Sequence, residues 1–469
     1  MNKNIDLYRS RKAVRVFLKA NRRKKKLKKQ YFGFDKFKQS ISKSRKLTQE
    51  YIKPKFIGHT YKLYKNRPLY NEVIQFLIPR YKQFSQIKLP ETYDGILRVP
   101  KIFSISENTD ESMFFLKRLF HSLYTQSPRI IIVDYMFCDY LDVDASACMD
   151  LILDGFIQYY TKCIARGYKV KVDQIIPKNF EHKPDIRNVL FSIGAYQNVK
   201  KFAMPKSSDA NFIAFKLRIG DTLKDTTGVL KELHETEIVD YVVACLASSG
   251  HTLTPIAEGN LSKVVGEVMA NAEEHSKFRY RYAIGYFMKP NKINNNLGVF
   301  KLSIFNFGQT IYESFSKNDN CNSLIVDQMA ELSKQYTAKS WFTKAKFEEE
   351  TLWTLYSLQE GVTSLKNWKR GKGTIRFIDR FFKLKGDDCS DNNSKLTLIS
   401  GNSKIVFDGT YPLKEIIKGN DEIPMQVMTF NDSGKISELP NDKYVTFVPP
   451  TFPGTLITAK ICLTNKNIE

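Results

Sequence analysis

The chain is poor in the residues that build covalent or metal-bound frameworks. Its 469 residues include only 7 cysteines, at positions 138, 148, 163, 245, 321, 389 and 462, and no two of them form a Cys-x-x-Cys pair. An odd number of cysteines without zinc-ligand spacing argues against both a disulfide scaffold and a zinc site. We therefore expect reduced thiols in the core or on the surface.

Long apolar runs are also missing from the sequence. Apolar runs such as Ile130–Val133 are far shorter than the roughly 20 residues that cross a bilayer. The basic N-terminus is not followed by the apolar stretch of a secretory signal. The sequence therefore predicts a soluble cytoplasmic protein without a membrane segment, and its 42% of hydrophobic residues can build ordinary cores.

Acidic residues are scarce in the first part of the chain. Residues 1–100 hold 27 of the 73 Lys and Arg residues but only 6 of the 49 Asp and Glu residues, so the rest of the chain is nearly neutral. Aromatic side chains alternate with the basic ones between Tyr31 and Tyr64. Because basic groups neutralise phosphates and aromatic rings stack on bases, we expect residues 1–65 to bind nucleic acid. A solvated tail and a docking arm for an acidic protein are the alternatives. The densest basic block comprises Arg22, Arg23, Lys24, Lys25, Lys26, Lys28 and Lys29.

Strands and helices alternate in residues 101–215, after a short helix from residue 71 that we expect to end before Pro79. The alternation predicts a parallel α/β module with right-handed crossovers. Its predicted elements are a helix over 110–123, a strand over 129–134, a helix over 144–167, a strand over 168–176 and a helix over 185–194.

This module resembles a STAS domain, the fold of anti-sigma-factor antagonists. The resemblance depends on Leu141–Ala147 at a helix start and on the Arg166–Tyr168 turn into the next strand. In that family an Asp at the helix N-terminus precedes a phosphorylated Ser or Thr; here Asp144 matches, Ala145 follows and Ser146 comes next. The resemblance implies a regulatory module or a platform for a protein partner. A plain scaffold that uses Asp144 as a helix N-cap is the alternative.

A predicted helix over 261–276 carries the first group of residues that suggests chemistry. Glu267 and Asn271 are four positions apart, so they lie on one helix face. A carboxylate beside an amide can activate water and can bind a metal through the amide oxygen. By itself, a solvated polar pair has the same pattern.

The segment Glu267–Ser276, Glu-Val-Met-Ala-Asn-Ala-Glu-Glu-His-Ser, is similar to the N-box of the GHKL superfamily, which includes DNA gyrase, Hsp90, MutL and histidine kinases. The resemblance implies that Asn271 binds Mg²⁺ against the triphosphate of ATP and that Glu267 is the general base. Histidine kinases usually lack this Glu, which favours hydrolysis, although anti-sigma-factor kinases keep an acid there.

A strand over 298–305 leads into Asn306-Phe-Gly-Gln-Thr310, which resembles the adenine box Asp-x-Gly-x-Gly of the same superfamily. Gly308 matches its first glycine, and Thr310 replaces the second. Asn306 replaces the Asp that accepts the adenine amino group. An Asn oxygen can still accept that bond, but without a full charge.

Two further segments resemble the remaining boxes. Gly371, Lys372, Gly373 and Thr374 precede a predicted helix over 375–383, and glycine-rich helix starts hold phosphate with backbone N–H groups. Gly454-Thr455 opens a predicted strand that resembles the closing strand of the sheet, where a Thr hydroxyl contacts a phosphate; Thr455 is the candidate. The long segment 311–370 resembles an ATP lid and ends in a predicted helix over 349–361, and two edge strands are predicted over 396–400 and 404–407.

The sequence thus predicts an α/β (α+β) protein with three parts: a basic N-terminal region (1–100), a STAS-like α/β domain (101–215) and a GHKL (Bergerat-type) α/β sandwich (216–469). The expected function is an ATP-binding switch with Mg²⁺ as cofactor and ATPase activity. A nucleic-acid-linked role such as bacterial defence fits the basic region, and many GHKL proteins dimerise when they bind ATP. Two alternatives are a partner-switching serine/threonine kinase and a degenerate nucleotide fold that acts as a scaffold.

Overall fold

The structure of the chain is a computed structural model. This structure describes residues 67–84, 95–126, 129–168, 170, 172, 174–192, 211–225, 227–248, 250–274, 278–289, 298–317, 322–337, 347–362, 375, 378–382, 394–417 and 424–462. Residues Pro68–Glu469 form one compact unit. The basic block at 22–29 lies outside the described residues. Within the described part of the chain, no helix is long and apolar enough to cross a membrane.

The first layer of this unit is a small parallel sheet with helices. Its elements are α1 (Glu72–Phe84), β1 (Ile96–Arg98), β2 (Ile102–Phe103), α2 (Thr109–His121), β3 (Ile130–Asp134), β4 (Tyr140–Leu141), α3 (Val143–Ala165), β5 (Gln174–Lys178) and α4 (Pro184–Ser192). Strands β1, β3 and β5 form the sheet in that order, and β2 pairs in parallel with β4 beside it.

The second layer is a five-stranded antiparallel sheet with its own helices. Its elements are β6 (Phe212–Asp221), α5 (Val229–Ala247), α6 (Pro255–Glu274), β7 (Tyr280–Met288), β8 (Val299–Phe307), α7 (Ile311–Ser316), α8 (Ser323–Thr337), α9 (Glu349–Ser357), β9 (Lys395–Phe407), β10 (Lys414–Ile417), β11 (Pro424–Val427) and β12 (Val445–Cys462). The strand order in the sheet is β6-β7-β8-β12-β9. A separate antiparallel pair, β10 and β11, lies in the connection between β9 and β12.

The five-stranded sheet is covered on both faces. Ile304 of β8 and Ile457 of β12 pack into one apolar core with α5, α6 and α9, while α1, α2 and α3 pack against the opposite face. This double cover explains the sequence of β8, in which every residue from Phe300 to Phe307 is buried. A strand that is buried on both faces has no polar and apolar alternation. The mixed α/β character predicted from the sequence is confirmed.

Several predicted boundaries differ from the structure. Helix α1 continues through Pro79 to Phe84, so the prediction that it ends before Pro79 is wrong. A proline inside a helix costs about 3 kcal/mol, but each buried aliphatic side chain contributes roughly 1.5–3 kcal/mol. The side chains that offset the cost are Val73, Ile74, Leu77 and Ile78, all buried on one side of α1.

Other differences concern strand positions and lengths. Strand β5 lies at Gln174–Lys178, several residues later than the predicted strand over 168–176. The two predicted edge strands over 396–400 and 404–407 are one continuous edge strand, β9. The predicted division at 215/216 falls inside β6. Short-range patterns locate elements well, but the sheet partners decide where a strand starts and ends.

Candidate functional site

One end of the five-stranded sheet carries a row of mainly polar residues, one from each strand. Backbone pairing places Gly220 opposite Arg281, Arg281 opposite Asn306, Asn306 opposite Thr455, and Thr455 opposite Ser400. We call these five residues the polar row. Side chains two positions apart share a face of a strand. Asn306 therefore lies on the same face as Ile304, and Thr455 on the same face as Ile457, which is the face that α5 and α6 cover.

Asn306 and Thr455 are in direct contact at the centre of the polar row. The backbone N–H of Thr455 donates a hydrogen bond to Oδ1 of Asn306 over 3.1 Å. Asn306 is only 1% exposed, and because an N–H must meet an oxygen, this bond sets which way its amide points. The two residues were predicted from different sequence boxes. Thr455 was expected at a phosphate, but its contact is with the residue expected at the base.

Two glycines allow β8 and β12 to approach each other closely beside Asn306 and Thr455. A Cβ atom on Gly454 would lie 2.1 Å from the carbonyl oxygen of Asn306, far inside contact distance. Gly308 leaves β8 with a φ of +154°, and its N–H donates to the carbonyl of Pro453 over 3.0 Å. The predicted glycine Gly308 therefore has a local structural reason to be a glycine.

Thr310 has a role that the sequence comparison did not suggest. It is the N-cap of α7, and its hydroxyl accepts the N–H of Glu313 over 3.1 Å. The Glu313 carboxylate accepts the N–H of Thr310 over 3.1 Å in return. This is a complete capping box, so a Thr at the position of the second glycine starts a helix.

The helix predicted to carry the base and the metal ligand, α6, packs against β7 and β8. Glu267 on α6 is half-buried. Asn271 lies in the last turns of α6, but its side chain is outside the described part. Only residues 275–279 separate α6 from β7, and β7 begins beside the polar row. The C-terminal end of α6 and the polar row are therefore at the same end of the sheet.

Arg281 is a member of the polar row that sequence reasoning missed. It is 2% exposed, and its Nη2 lies 3.3 Å from Nδ1 of His234 on α5. Burial, and then the charge of Arg281, lower the pKa of His234, so the neutral ring accepts from the guanidinium, which can only donate. Gly220 makes room for it, since a Cβ there would lie 2.7 Å from Nη2. The sequence signal that could have identified Arg281 is its position as the single Arg within the aromatic strand Tyr280–Met288.

Ser400 is the second residue that the sequence did not reveal. It is fully buried, its Oγ lies 2.9 Å from Oγ1 of Thr455, and it accepts the N–H of Ile311 over 2.8 Å. Serine in a strand carries no distinctive pattern, and only the pairing of β9 with β12 brings it to the polar row.

The other predicted contact residues lie outside the described part of the chain. They are Gly371, Lys372, Gly373 and Thr374 for the nucleotide, and Arg22, Arg23, Lys24, Lys25, Lys26, Lys28 and Lys29 for nucleic acid. Downstream of the glycine pair, residues 375 and 378–382 are helical. Ile375, Ile378 and Phe381 in this helical segment are fully buried.

The end of the predicted lid is part of the core. Leu352, Leu355 and Tyr356 of α9 are buried, and Glu350 accepts the N–H of Asn402 on β9 over 2.8 Å. Residues 349–357, predicted from the sequence as the end of the lid over 311–370, are thus anchored to the sheet. The apolar residues of a helix recur with the same period whether the helix belongs to a lid or to a core. The sequence pattern therefore does not distinguish the two.

The opposite face of the sheet carries a buried ion cluster. Lys301 of β8 and Asp142 form an ion pair in which both side chains are essentially inaccessible to solvent. Burial disfavours the charge on Lys301, but Asp142 and Asp144 outweigh it and raise the pKa of Lys301. Nearby, Lys395 of β9 pairs with Glu107. The first layer and the five-stranded sheet are therefore joined by charge as well as by apolar contacts.

This cluster corrects the prediction that Asp144 is the N-cap of the helix, which was made for a plain scaffold. The N-cap of α3 is Asp142, which accepts the N–H of Val143, and not Asp144. Asp144 instead accepts the N–H groups of Ile105 and Ser106 over 3.0 and 2.9 Å. Burial and the charge of Asp142 raise the pKa of Asp144 to about 6. Ser146, the nearest hydroxyl to the expected phosphorylation position, is fully buried.

Comparisons with known proteins add no family to this geometry. No family model, no curated protein and no solved structure matches the chain. In the described part of the chain, no group of three or more His, Cys, Asp and Glu side chains is placed to hold a metal ion.

Proposed function

We propose that this protein binds ATP with Mg²⁺ at the polar row and hydrolyses it, so that the nucleotide state acts as a switch. The observation that carries the proposal is the contact between Asn306 and Thr455. These residues come from separate predicted nucleotide boxes, 149 positions apart in the chain, and they share a hydrogen bond in the fold.

The position of α6 supports the same proposal. Its C-terminal end, with Glu267 and Asn271, lies at the end of the sheet where the polar row is found. An amide oxygen at Asn271 would hold Mg²⁺ against the phosphates, and the carboxylate of Glu267 would polarise the attacking water. Asn306 would contact the base, and the loop Gly371–Thr374 would hold phosphate with its backbone N–H groups.

Two variants of α6 test this proposal. We expect Asn271→Ala to abolish binding of Mg·ATP, and Glu267→Ala to leave binding within about three-fold while lowering hydrolysis by roughly 10²–10⁴-fold, the usual contribution of a general base. Calorimetry measures the binding and release of inorganic phosphate measures the turnover. Hydrolysis by Glu267→Ala at the wild-type rate would show that Glu267 is not the base.

A non-catalytic scaffold is the second candidate. Asn306 is almost fully buried, and its Oδ1 already accepts a backbone N–H, which favours a structural role for this residue. Calorimetry of the wild-type chain with Mg·ATP separates the two candidates. A scaffold that does not bind the nucleotide gives no heat signal of binding. Phosphate transfer to a partner protein without free phosphate would instead indicate the partner-switching kinase.

A further inference from the structure

The hydroxyl group of Ser400 meets three polar groups. It accepts the N–H of Ile311 over 2.8 Å, it lies 2.9 Å from Oγ1 of Thr455, and it lies 3.5 Å from the carbonyl oxygen of Gly454. A hydroxyl has one hydrogen and two lone pairs. Since Ile311 occupies one lone pair, the single hydrogen of Ser400 points either to Thr455 or to Gly454.

These two orientations have different consequences for Thr455. When Ser400 donates to Gly454, the hydroxyl of Thr455 donates to Ser400. When Ser400 donates to Thr455, Ser400 no longer accepts the hydrogen of Thr455. This hydrogen is then available to an acceptor on a ligand, since Thr455 is only half-buried. A ligand with an acceptor at Thr455 therefore favours the second orientation of the hydroxyl pair.

The same choice affects the start of α7. A hydroxyl that donates a strong hydrogen bond becomes a better acceptor, because bonds in a chain polarise one another. The bond to Thr455 at 2.9 Å is stronger than one to Gly454 at 3.5 Å. In the second orientation Ser400 thus holds the N–H of Ile311, the first residue of α7, more tightly.

The geometry points to Ser400 as a positioning residue that transmits occupancy of the nucleotide site to the first turn of α7. This inference rests on the proposed function, since it takes Thr455 as a nucleotide contact. Ile311 is the first residue of α7, so a nucleotide that engages Thr455 stabilises the start of this helix.

The sheet contains a matched control for this role. Ser303 of β8 and Thr458 of β12 form an equivalent hydrogen-bonded pair of hydroxyls, with their oxygen atoms 3.0 Å apart. Both side chains are buried, but they lie on the opposite face from the polar row. Ser303→Ala removes an equivalent Ser–Thr bond without touching Thr455 or α7.

The experiment is hydrogen–deuterium exchange of residues 311–317 in the full chain, with and without adenylyl imidodiphosphate and Mg²⁺. One net hydrogen bond corresponds to a factor of roughly five, so we expect the analogue to slow exchange about five-fold in the wild type and in Ser303→Ala. In Ser400→Ala we expect this difference to vanish, with analogue bound to saturation as checked by calorimetry.

Three results would overturn the inference. If Ser400→Ala keeps the ligand-dependent slowing of the wild type, Ser400 transmits nothing, while the proposed nucleotide binding stands. If Ser303→Ala loses the slowing as well, the effect is general destabilisation. If the wild-type chain binds no analogue, the proposed function fails and the role of Ser400 fails with it.

Discussion

At the scale of single residues, the candidate site depends on where small and polar side chains meet in the sheet. Asn306, Gly308 and Thr455 could be named from the sequence because each belongs to a short motif. Arg281 and Ser400 could not, because their relevance comes from strand pairing, which joins positions far apart in the chain. Local patterns carry no information about that register beyond the alternation of faces.

We predict that Gly454→Ala destabilises the protein and weakens nucleotide binding. The new Cβ would lie 2.1 Å from the carbonyl oxygen of Asn306, so β8 and β12 must separate there, at a cost of about 1–3 kcal/mol as for other overpacked sites. Chemical denaturation measures the free energy of unfolding.

Gly259→Ala is the matched control for that change. Gly259 lies in α6, and a Cβ there meets no heavy atom within 4 Å. Alanine is favoured over glycine inside a helix by about 1 kcal/mol, so this variant should be as stable as the wild type or more so. Equal stability of Gly454→Ala and the wild type would contradict the close approach of the two strands.

At the scale of elements, β8 is the strand that both layers share. Its Asn306 lies with the polar row on the face that α5 and α6 cover, and its Lys301 lies with Asp142 on the opposite face. The apolar character of β8 was readable from the sequence. The ion pair was not, because Lys301 and Asp142 are 159 positions apart in the chain.

We predict that Lys301→Met lowers the free energy of unfolding by about 3–5 kcal/mol, because it leaves buried carboxylates without their cation. Asp142→Asn keeps the helix cap, since Asn also caps well, but it leaves the buried ammonium group of Lys301 without this carboxylate partner. The double variant should be less destabilised than the sum of the two single changes. Denaturation of all four proteins gives the coupling free energy, and purely additive costs would show that the pair does not interact.

The exposed pair of Lys435 and Glu438 is the comparison for this cycle. Its atoms are 3.3 Å apart and both side chains are largely exposed. Surface pairs contribute at most about 1 kcal/mol, so Lys435→Met should change stability very little. The contrast isolates burial as the reason for the large effect at Lys301.

At the scale of the whole molecule, the two layers form one compact unit, Pro68–Glu469. The start of α3, where the STAS resemblance places its phosphorylated residue, is packed against the five-stranded sheet, and Ser146 there is fully buried. A kinase cannot reach this hydroxyl in the folded chain.

The basic N-terminal region gives a prediction for the whole chain. Deletion of residues 1–60 should sharply reduce binding to a DNA or RNA oligonucleotide and flatten its salt dependence, because each neutralised phosphate contributes roughly 0.7–0.9 to the slope of log K against log salt. Fluorescence anisotropy at several salt concentrations measures both.

A second variant separates charge from length in this region. Replacing Arg22, Arg23, Lys24, Lys25, Lys26, Lys28 and Lys29 by Gln keeps the segment but removes seven positive charges. We expect this variant to lose most of the salt dependence as well. Unchanged binding after either alteration would exclude the basic block as the nucleic-acid contact and favour an acidic protein partner.

The sequence by itself determined the α/β character, most helices and the motif residues of the candidate site. Those features depend on residue periodicity and on short spacings, which are local properties of the chain. Only the tertiary structure decided that Arg281 and Ser400 join Asn306 and Thr455, and that Lys301 binds Asp142. Such contacts depend on strand order and register, which are set by packing over the whole unit.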